Sequence, residues 1–269
     1  MGTGVAPARV GMRMADDSSR LAAFLRAARR ILVFTGAGIS TGSGIPDFRG
    51  PQGVWTKRKP VYYQDFMSSE AARIEYWDFK LEGAEVFRQA RPNAVHGAIR
   101  RLEDAGKLSM VLTQNVDGLH AMAGTSLERL LELHGTNALV ECQSCGWRDD
   151  PAPHYEYFKA HRRPPVCHCG GFLKAATISF GQKLDRRVLE RAGESALDCD
   201  LVVALGSTLS VQPASLFPLE AARRGVPYVI INRGATDHDE EPCVSLRLEG
   251  DVVEIFPPAV EAVLGSGHR

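Results

Sequence analysis

Ile31-Leu32-Val33-Phe34-Thr35-Gly36-Ala37-Gly38 runs four apolar β-formers straight into a glycine turn. An apolar run without polar alternation predicts a strand covered on both faces. The glycines allow a tight turn and let backbone N–H groups approach a pyrophosphate. The strict G-x-G-x-x-G fingerprint fails, because Thr41 occupies its third position and Gly42 and Gly44 come too late. No strand ending in an acidic ribose ligand follows about 20 residues on, which disfavours an ordinary dehydrogenase. On these glycines alone, a nucleotide loop and a ligand-free turn stand level.

Outward from this strand, helical and strand patterns alternate. Helical spacing covers 19–30, 71–81 with Ser68 and Ser69 as candidate caps, 94–103 with Asn93 as cap, 127–133, 185–197 and 214–224. Further apolar strands are expected at 108–113, 201–205 and 228–231. Such alternation implies a mainly parallel sheet with helices on both faces. It is interrupted by Cys142, Cys145, Cys167 and Cys169, a C-x2-C and a C-x-C flanking a segment with Pro151, Pro153, Pro164 and Pro165. The prolines are expected to break any long element there. Two short cysteine pairs can surround one tetrahedral zinc ion, and four thiolates leave no open position, so this zinc is structural. The expected architecture is α/β: a Rossmann-type sheet over 16–139 and 174–269 with a helical insert about 54–92, a zinc module at 140–173, and a flexible lead-in over 1–15.

The 269 residues are 44% hydrophobic and 24% charged, and 32 basic residues balance 32 acidic ones. A neutral total argues against bulk electrostatic attachment to nucleic acid, so no direct nucleic-acid binding is expected. No apolar run approaches the roughly 20 residues of a membrane span. The N-terminal stretch lacks a secretory apolar region, and Ala6 breaks the myristoylation pattern. Beyond the quartet only Cys199 and Cys243 remain, too sparse for a disulfide framework. A cytoplasmic location is the expectation.

Two further strings carry chemistry. One is Gly36-Ala37-Gly38-Ile39-Ser40 followed by Gly44-Ile45-Pro46-Asp47-Phe48-Arg49-Gly50, which sets an acid, a ring and a cation between glycines. The other is Thr113-Gln114-Asn115-Val116-Asp117-Gly118-Leu119-His120, at the carboxyl end of an expected strand, where ligands bind in open α/β sheets. His134-Gly135 precedes the first cysteine. With Gly206-Ser207-Thr208-Leu209-Ser210-Val211-Gln212-Pro213 and Ile231-Asn232, these pieces resemble the sirtuin family of bacterial type, the NAD-dependent protein lysine deacylases, in the family's order.

The resemblance implies that an acyl-lysine oxygen attacks C1′ of the nicotinamide ribose of NAD. Nicotinamide leaves, and the acyl group ends on ADP-ribose. It implies His134 as general base on the ribose hydroxyl of the alkylamidate intermediate, a role suited to a pKa of about 6.5. A lone histidine is more often structural, and His96, His120, His154, His161, His238 and His268 are read so. By resemblance Asn115 and Asp117 position the ribose and the nicotinamide carboxamide, and Gln114 contacts ribose. Gly36, Ala37, Gly38, Ser40, Asp47, Phe48 and Arg49 form the cofactor loop, with Phe48 excluding water. Gly206, Ser207, Asn232 and Arg233 hold the adenosine half, with Asp251 and Val252 closing the adenine pocket. Phe180, Gly181 and Val211 border the groove where acyl-lysine peptides or proteins add as a strand.

The chain departs from the family in three places. Gln182 stands where many members carry an acid, the second cysteine pair is C-x-C, and no arginine follows Tyr76 by three residues. The last point argues against acyl groups with a second carboxylate and leaves acetyl or longer apolar chains open. A mono-ADP-ribosyltransferase or NAD hydrolase is the alternative on the same scaffold.

Overall fold

The computed structural model describes residues 7–48 and 53–265. In chain order its elements are α1 (Pro7–Ala27), β1 (Ile31–Thr35), α2 (Val54–Lys57), α3 (Tyr63–Ser68), α4 (Glu70–Gln89), α5 (Ala94–Asp104), β2 (Leu108–Thr113), α6 (Leu119–Met122) and β3 (Leu130–Glu132). There follow β4 (Gly135–Cys142), β5 (Arg148–Asp149), α7 (Pro151–His161), β6 (Leu173–Thr177), α8 (Arg186–Leu197), β7 (Leu201–Leu205), α9 (Leu216–Arg223), β8 (Tyr228–Asn232), β9 (Leu246–Glu249) and α10 (Val252–Leu264).

Six strands form one sheet in the order β3-β2-β1-β7-β8-β9, and every pairing in it is parallel. Side chains alternate across each strand, so one run feeds two cores. Ile31, Val33, Val203 and Val229 meet Leu25 of α1, Ile99 of α5 and Phe256 of α10. Leu32, Phe34, Val202 and Ile230 meet Ala192 and Ala196 of α8 and Ala221 of α9. From β1 the chain winds outward to β2 and β3, then returns to build β7, β8 and β9 on the other side. The switch lies between β1 and β7, and a crevice outside their carboxyl ends is where such sheets bind ligands.

Several expectations shift. The segment 127–133 is not a helix: its buried Leu130 and Leu131 pair with β2 as β3. Strand β9 and helix α10 were not anticipated. The lead-in expected over 1–15 is already helical from Pro7, with proline at a position that suits a first turn; residues 1–6 lie outside those described. Pro151 likewise starts α7 instead of breaking it, with Asp150 capping Ala152 N–H.

Strands β4, β5 and β6 form a separate antiparallel sheet spanning Gly135 to Thr177, a few residues wider on each side than the expected module. The helical insert, expected to belong with the larger sheet, packs its core here instead. Phe66, Tyr76 and Trp77 join Val140, Cys142, Phe158, Cys167, Leu173 and Ala175 in one apolar cluster, and Trp77 Nε1 donates to the Leu173 carbonyl at 3.1 Å. The apolar faces of α3 and α4 have no other sheet to cover, which the sequence pattern could not show.

Candidate active site

Two glycine turns meet at the switch point. Gly36 N–H donates to the Leu205 carbonyl (3.0 Å), and Gly38 N–H to the Gly206 carbonyl (2.9 Å). A Cβ on Gly36 would lie 2.7 Å from Gly206 O and 2.8 Å from Ser207 Cβ. The first glycine is thus required by close approach of the second turn; its own φ of −127° is ordinary extended backbone.

The next layer comes from the end of β2. Gln114 N–H donates to Thr35 O (3.0 Å), and its Nε2 to Ser207 Oγ (2.8 Å). Asn115 Nδ2 donates to Gly36 O (3.2 Å) and Ser40 Oγ (3.1 Å). Ser40 in turn donates to Asp117 Oδ2 (2.7 Å), whose Oδ1 accepts Leu119 N–H (2.9 Å). Beneath them Thr35 Oγ1 donates to Thr113 Oγ1 (2.8 Å) and Thr113 Oγ1 accepts Asn115 N–H (3.0 Å). Sequence reading missed this threonine pair, because a threonine in a strand looks the same whether or not it supports a loop.

His134 sits between the large and small sheets. Leu133 N–H donates to Thr113 O, and Ile178 N–H to His134 O (2.8 Å). The His134 Nδ1 lies 3.2 Å from Gln114 O. A carbonyl can only accept, so Nδ1 carries the proton and Nε2 is the basic nitrogen. Nearby, burial and the Asp117 charge push Glu132 up to about 7. Burial pulls His96 and His120 down to about 4 and about 3, which keeps both neutral, as structural residues should be.

One cavity of about 1000 Å³ joins these groups. Gly36, Ala37, Gly38, Asp47, Phe48, Gln114, Asn115, Asp117 and His134 line it from one side, and Gly206, Ser207, Val211, Asn232, Arg233, Phe180 and Gly181 from the others. Ser40, 1% exposed, and Val252, 3% exposed, do not. Ser40 holds Asn115 and Asp117 from behind, and Val252 packs in the core at the start of α10. Asp251 caps α10 and pairs with Arg233 (2.6 Å). Arg49 lies outside the described residues. The volume matches the upper range of small-molecule sites, and the polar side chains of Gln114, Asn115, Asp117 and His134 converge on the cavity beside the glycine turn, so the residues fit NAD.

The cysteines also converge. Cys142 and Cys169 Sγ are 3.5 Å apart, Cys145 and Cys167 Sγ 3.8 Å, and all four lie within 4.8 Å of one another. Zinc–sulfur bonds of about 2.3 Å in a tetrahedron put sulfurs about 3.8 Å apart, so the set fits zinc. A Cβ on Gly171 would strike Cys142 Sγ at 2.6 Å, so the shorter second pair closes only around glycine. His168 Nδ1 lies 3.5 Å from Cys167 Sγ, but the four ligand atoms that converge are all cysteine sulfurs, and His161 Nδ1 is bound to Tyr157 O (2.9 Å).

Comparison with known proteins agrees. The profile of the Sir2 family matches residues 36–213. A protein of Bradyrhizobium diazoefficiens described as NAD-dependent protein deacetylase 1 is 40% identical over 241 residues, 90% of this chain and 94% of that one. A solved structure described as showing the structural basis for the mechanism and regulation of Sir2 enzymes superposes with TM-score 0.81 at 36% identity, over 92% of this chain and 98% of that one. A structure of Sir2 with a p53 peptide and NAD+ superposes with TM-score 0.79 at 33% identity, over 90% and 96%.

Proposed function

This chain belongs to the Sir2 family, and from that premise we propose that it is an NAD-dependent protein lysine deacylase, acting chiefly on acetyl-lysine. The observation that carries the reading is the single cavity lined by both the Gly36–Gly38 turn and His134. Bound NAD supplies an activated ribose carbon that receives the acyl oxygen, with nicotinamide as leaving group.

The residues divide the work as follows. Asn115 and Asp117, both held by Ser40, orient the ribose and carboxamide ends of the cofactor. Gln114, braced on Ser207, backs the ribose. Phe48 covers the reacting carbon and keeps water out. Gly206, Ser207, Asn232 and Arg233 receive the adenosine half, and Phe180, Gly181 and Val211 flank the peptide. His134 takes a proton at Nε2 while Nδ1–H holds the Gln114 carbonyl, an arrangement that keeps the ring oriented through the transfer.

The four cysteines hold one structural zinc. The domain division follows the two sheets: the zinc module, expected at about 140–173, takes in 135–177 and the helical insert of about 54–92, and the Rossmann-type domain is built from the segments around them. No helix among the described residues is long and apolar enough to cross a membrane. Sparse cysteines outside the quartet support a cytoplasmic home, and the neutral charge supports a protein substrate over nucleic acid.

The test is loss of acetyl from an acetyl-lysine peptide, followed with and without NAD. Wild type is expected to remove it only with NAD, and His134→Ala to lose at least about a hundredfold in kcat, as removal of a general base does. Full activity in His134→Ala would refute the assignment of the base.

A further inference from the structure

Lys174, on β6, is 1% exposed and lies behind the cavity wall. Its Nζ donates to the carbonyls of Ala175 (3.1 Å) and Thr177 and to Gln182 Oε1 (3.3 Å). A charged lysine has three N–H donors and no acceptor, so these three oxygens match it one to one. All three are neutral, although buried charges are ordinarily paired because desolvation is costly without a counterion.

The charged and titratable groups around Lys174 supply no such partner. Glu141 stands opposite it in the β4–β6 ladder but is committed to Arg148 at 2.6 Å. Tyr76 of α4 presents its ring at 5.9 Å, and burial holds its phenol well above the usual value, so it stays neutral. Lys80 of α4, which lines the cavity, is itself pulled down to about 8 by burial. Burial, and then repulsion from Lys80, pull Lys174 down to about 7 against the opposing effect of Glu141. Below that pH the ammonium has three protons for three oxygens. Above it the amine has two, and one oxygen loses its donor. Gln182 Oε1 is the acceptor carried on a side chain and not on the strand itself, so it is the one free to move away. An acid at position 182, as many relatives of this sequence pattern carry, would hold the third proton in place; glutamine does not.

Gln182 links this buried group to the peptide groove. Its Oε1 also accepts Ser179 N–H (3.1 Å), and its own N–H donates to Ser179 O (2.9 Å), closing a turn around Phe180 and Gly181. From α3, Tyr63 N–H donates to Phe180 O (2.9 Å) and Gln64 Nε2 to Gly181 O (3.0 Å). Just before the turn, Ile178 N–H donates to His134 O (2.8 Å). The segment 177–182 is thus held by α3 on one side and by Lys174 on the other.

We propose that Lys174 is a positioning residue for the acyl-lysine peptide: fully protonated, it clasps Gln182 and keeps the 177–182 segment in the shape that accepts the peptide strand, and with one proton fewer it lets that segment loosen. The inference rests on the deacylase reading, which gives the segment its peptide, and extends it to a side chain outside the cavity.

The experiment measures KM and kcat with saturating NAD between about pH 6 and about pH 9, on an acetyl-lysine peptide without groups that titrate in that range. Wild-type KM for the peptide is expected to rise with pH on the order of threefold to tenfold, the scale of one internal hydrogen bond. Gln182→Glu, which keeps the ammonium charged, should flatten that rise. Lys174→Met should have the raised KM at every pH. His134 is retained in all three proteins, so its own titration is common to them. Amide hydrogen exchange over 177–182, corrected for the intrinsic effect of pH, should follow the same pattern without any turnover. A peptide KM and an exchange rate that ignore pH in wild type overturn the inference, as does a rise of equal size in Gln182→Glu. Wild-type KM and exchange in a folded Lys174→Met overturn it too; if that variant does not fold, the comparison with Gln182→Glu decides. Failure of wild type to turn over the peptide at any pH overturns the deacylase reading, and hydrogen exchange then decides the clasp by itself.

Discussion

Gly36 shows how one missing atom ties sequence to chemistry. The turn after β1 approaches the turn after β7 so closely that a methyl group has no room. Gly36→Ala must therefore push the two turns apart and disturb Asn115, whose amide rests on the Gly36 carbonyl. The variant is expected to fold, yet to show a smaller rise in melting temperature with saturating NAD than wild type. An unchanged rise would mean that the contact does not shape the cofactor site. At this scale the strings around Gly36, Asn115 and His134 made the site legible in the sequence. Ser40 was legible only as a member of the loop; that its hydroxyl turns inward to Asp117 depends on the approach of β2's end to that loop. Lys80 was not legible as a cavity residue, because the register of α4 against β4 is set by tertiary packing.

Among the elements, the small sheet and the helical insert stand or fall together. Cys142 and Cys167 belong to the same apolar cluster as Phe66 and Trp77, so removing zinc loosens a core shared with α3 and α4. Structural zinc supplies folding free energy directly. Treatment with a strong chelator, or Cys167→Ser, is expected to raise hydrogen exchange in β4, β6 and α4 while β1, β7 and β8 stay protected. Equal loss of protection across both sheets would contradict this division. The alternation of strands and helices predicted the large sheet because β1, β7 and β8 are buried on both faces and read as plain apolar runs. Short β3 carries only three residues and gains its identity by pairing with β2, so its leucines mimicked a helix. Asn93, by contrast, was recognisable as a cap: its side chain accepts Val95 N–H, and His96 closes the reciprocal bond.

For the molecule as a whole, the buried polar layer under the active site sets the response to acid. His96 and His120 stay neutral down to about 4 and about 3, whereas in the unfolded chain they take up protons below about 6.5. Their contribution to stability is present above 6.5 and is lost as pH falls toward 4. Glu132, raised to about 7, acts in the opposite sense: its share is full below the unfolded value of about 4.5 and is lost as pH rises to 7. Two imidazoles against one carboxyl leave a net loss on acidification between about 6.5 and 4.5. The urea midpoint is expected to fall over that window, and more steeply in Glu132→Gln; a midpoint that rises would contradict the burial of these rings as neutral groups. The same molecule joins a Rossmann-type sheet to a zinc module across one cavity, in which the acyl group is expected to leave lysine for the cofactor's ribose. The most direct measurement is the mass of the nucleotide formed from NAD during turnover of an acetyl-lysine peptide. O-acetyl-ADP-ribose in equal amount to released nicotinamide is the predicted result; free ADP-ribose with the peptide still acetylated, or ADP-ribose attached to protein, would contradict it.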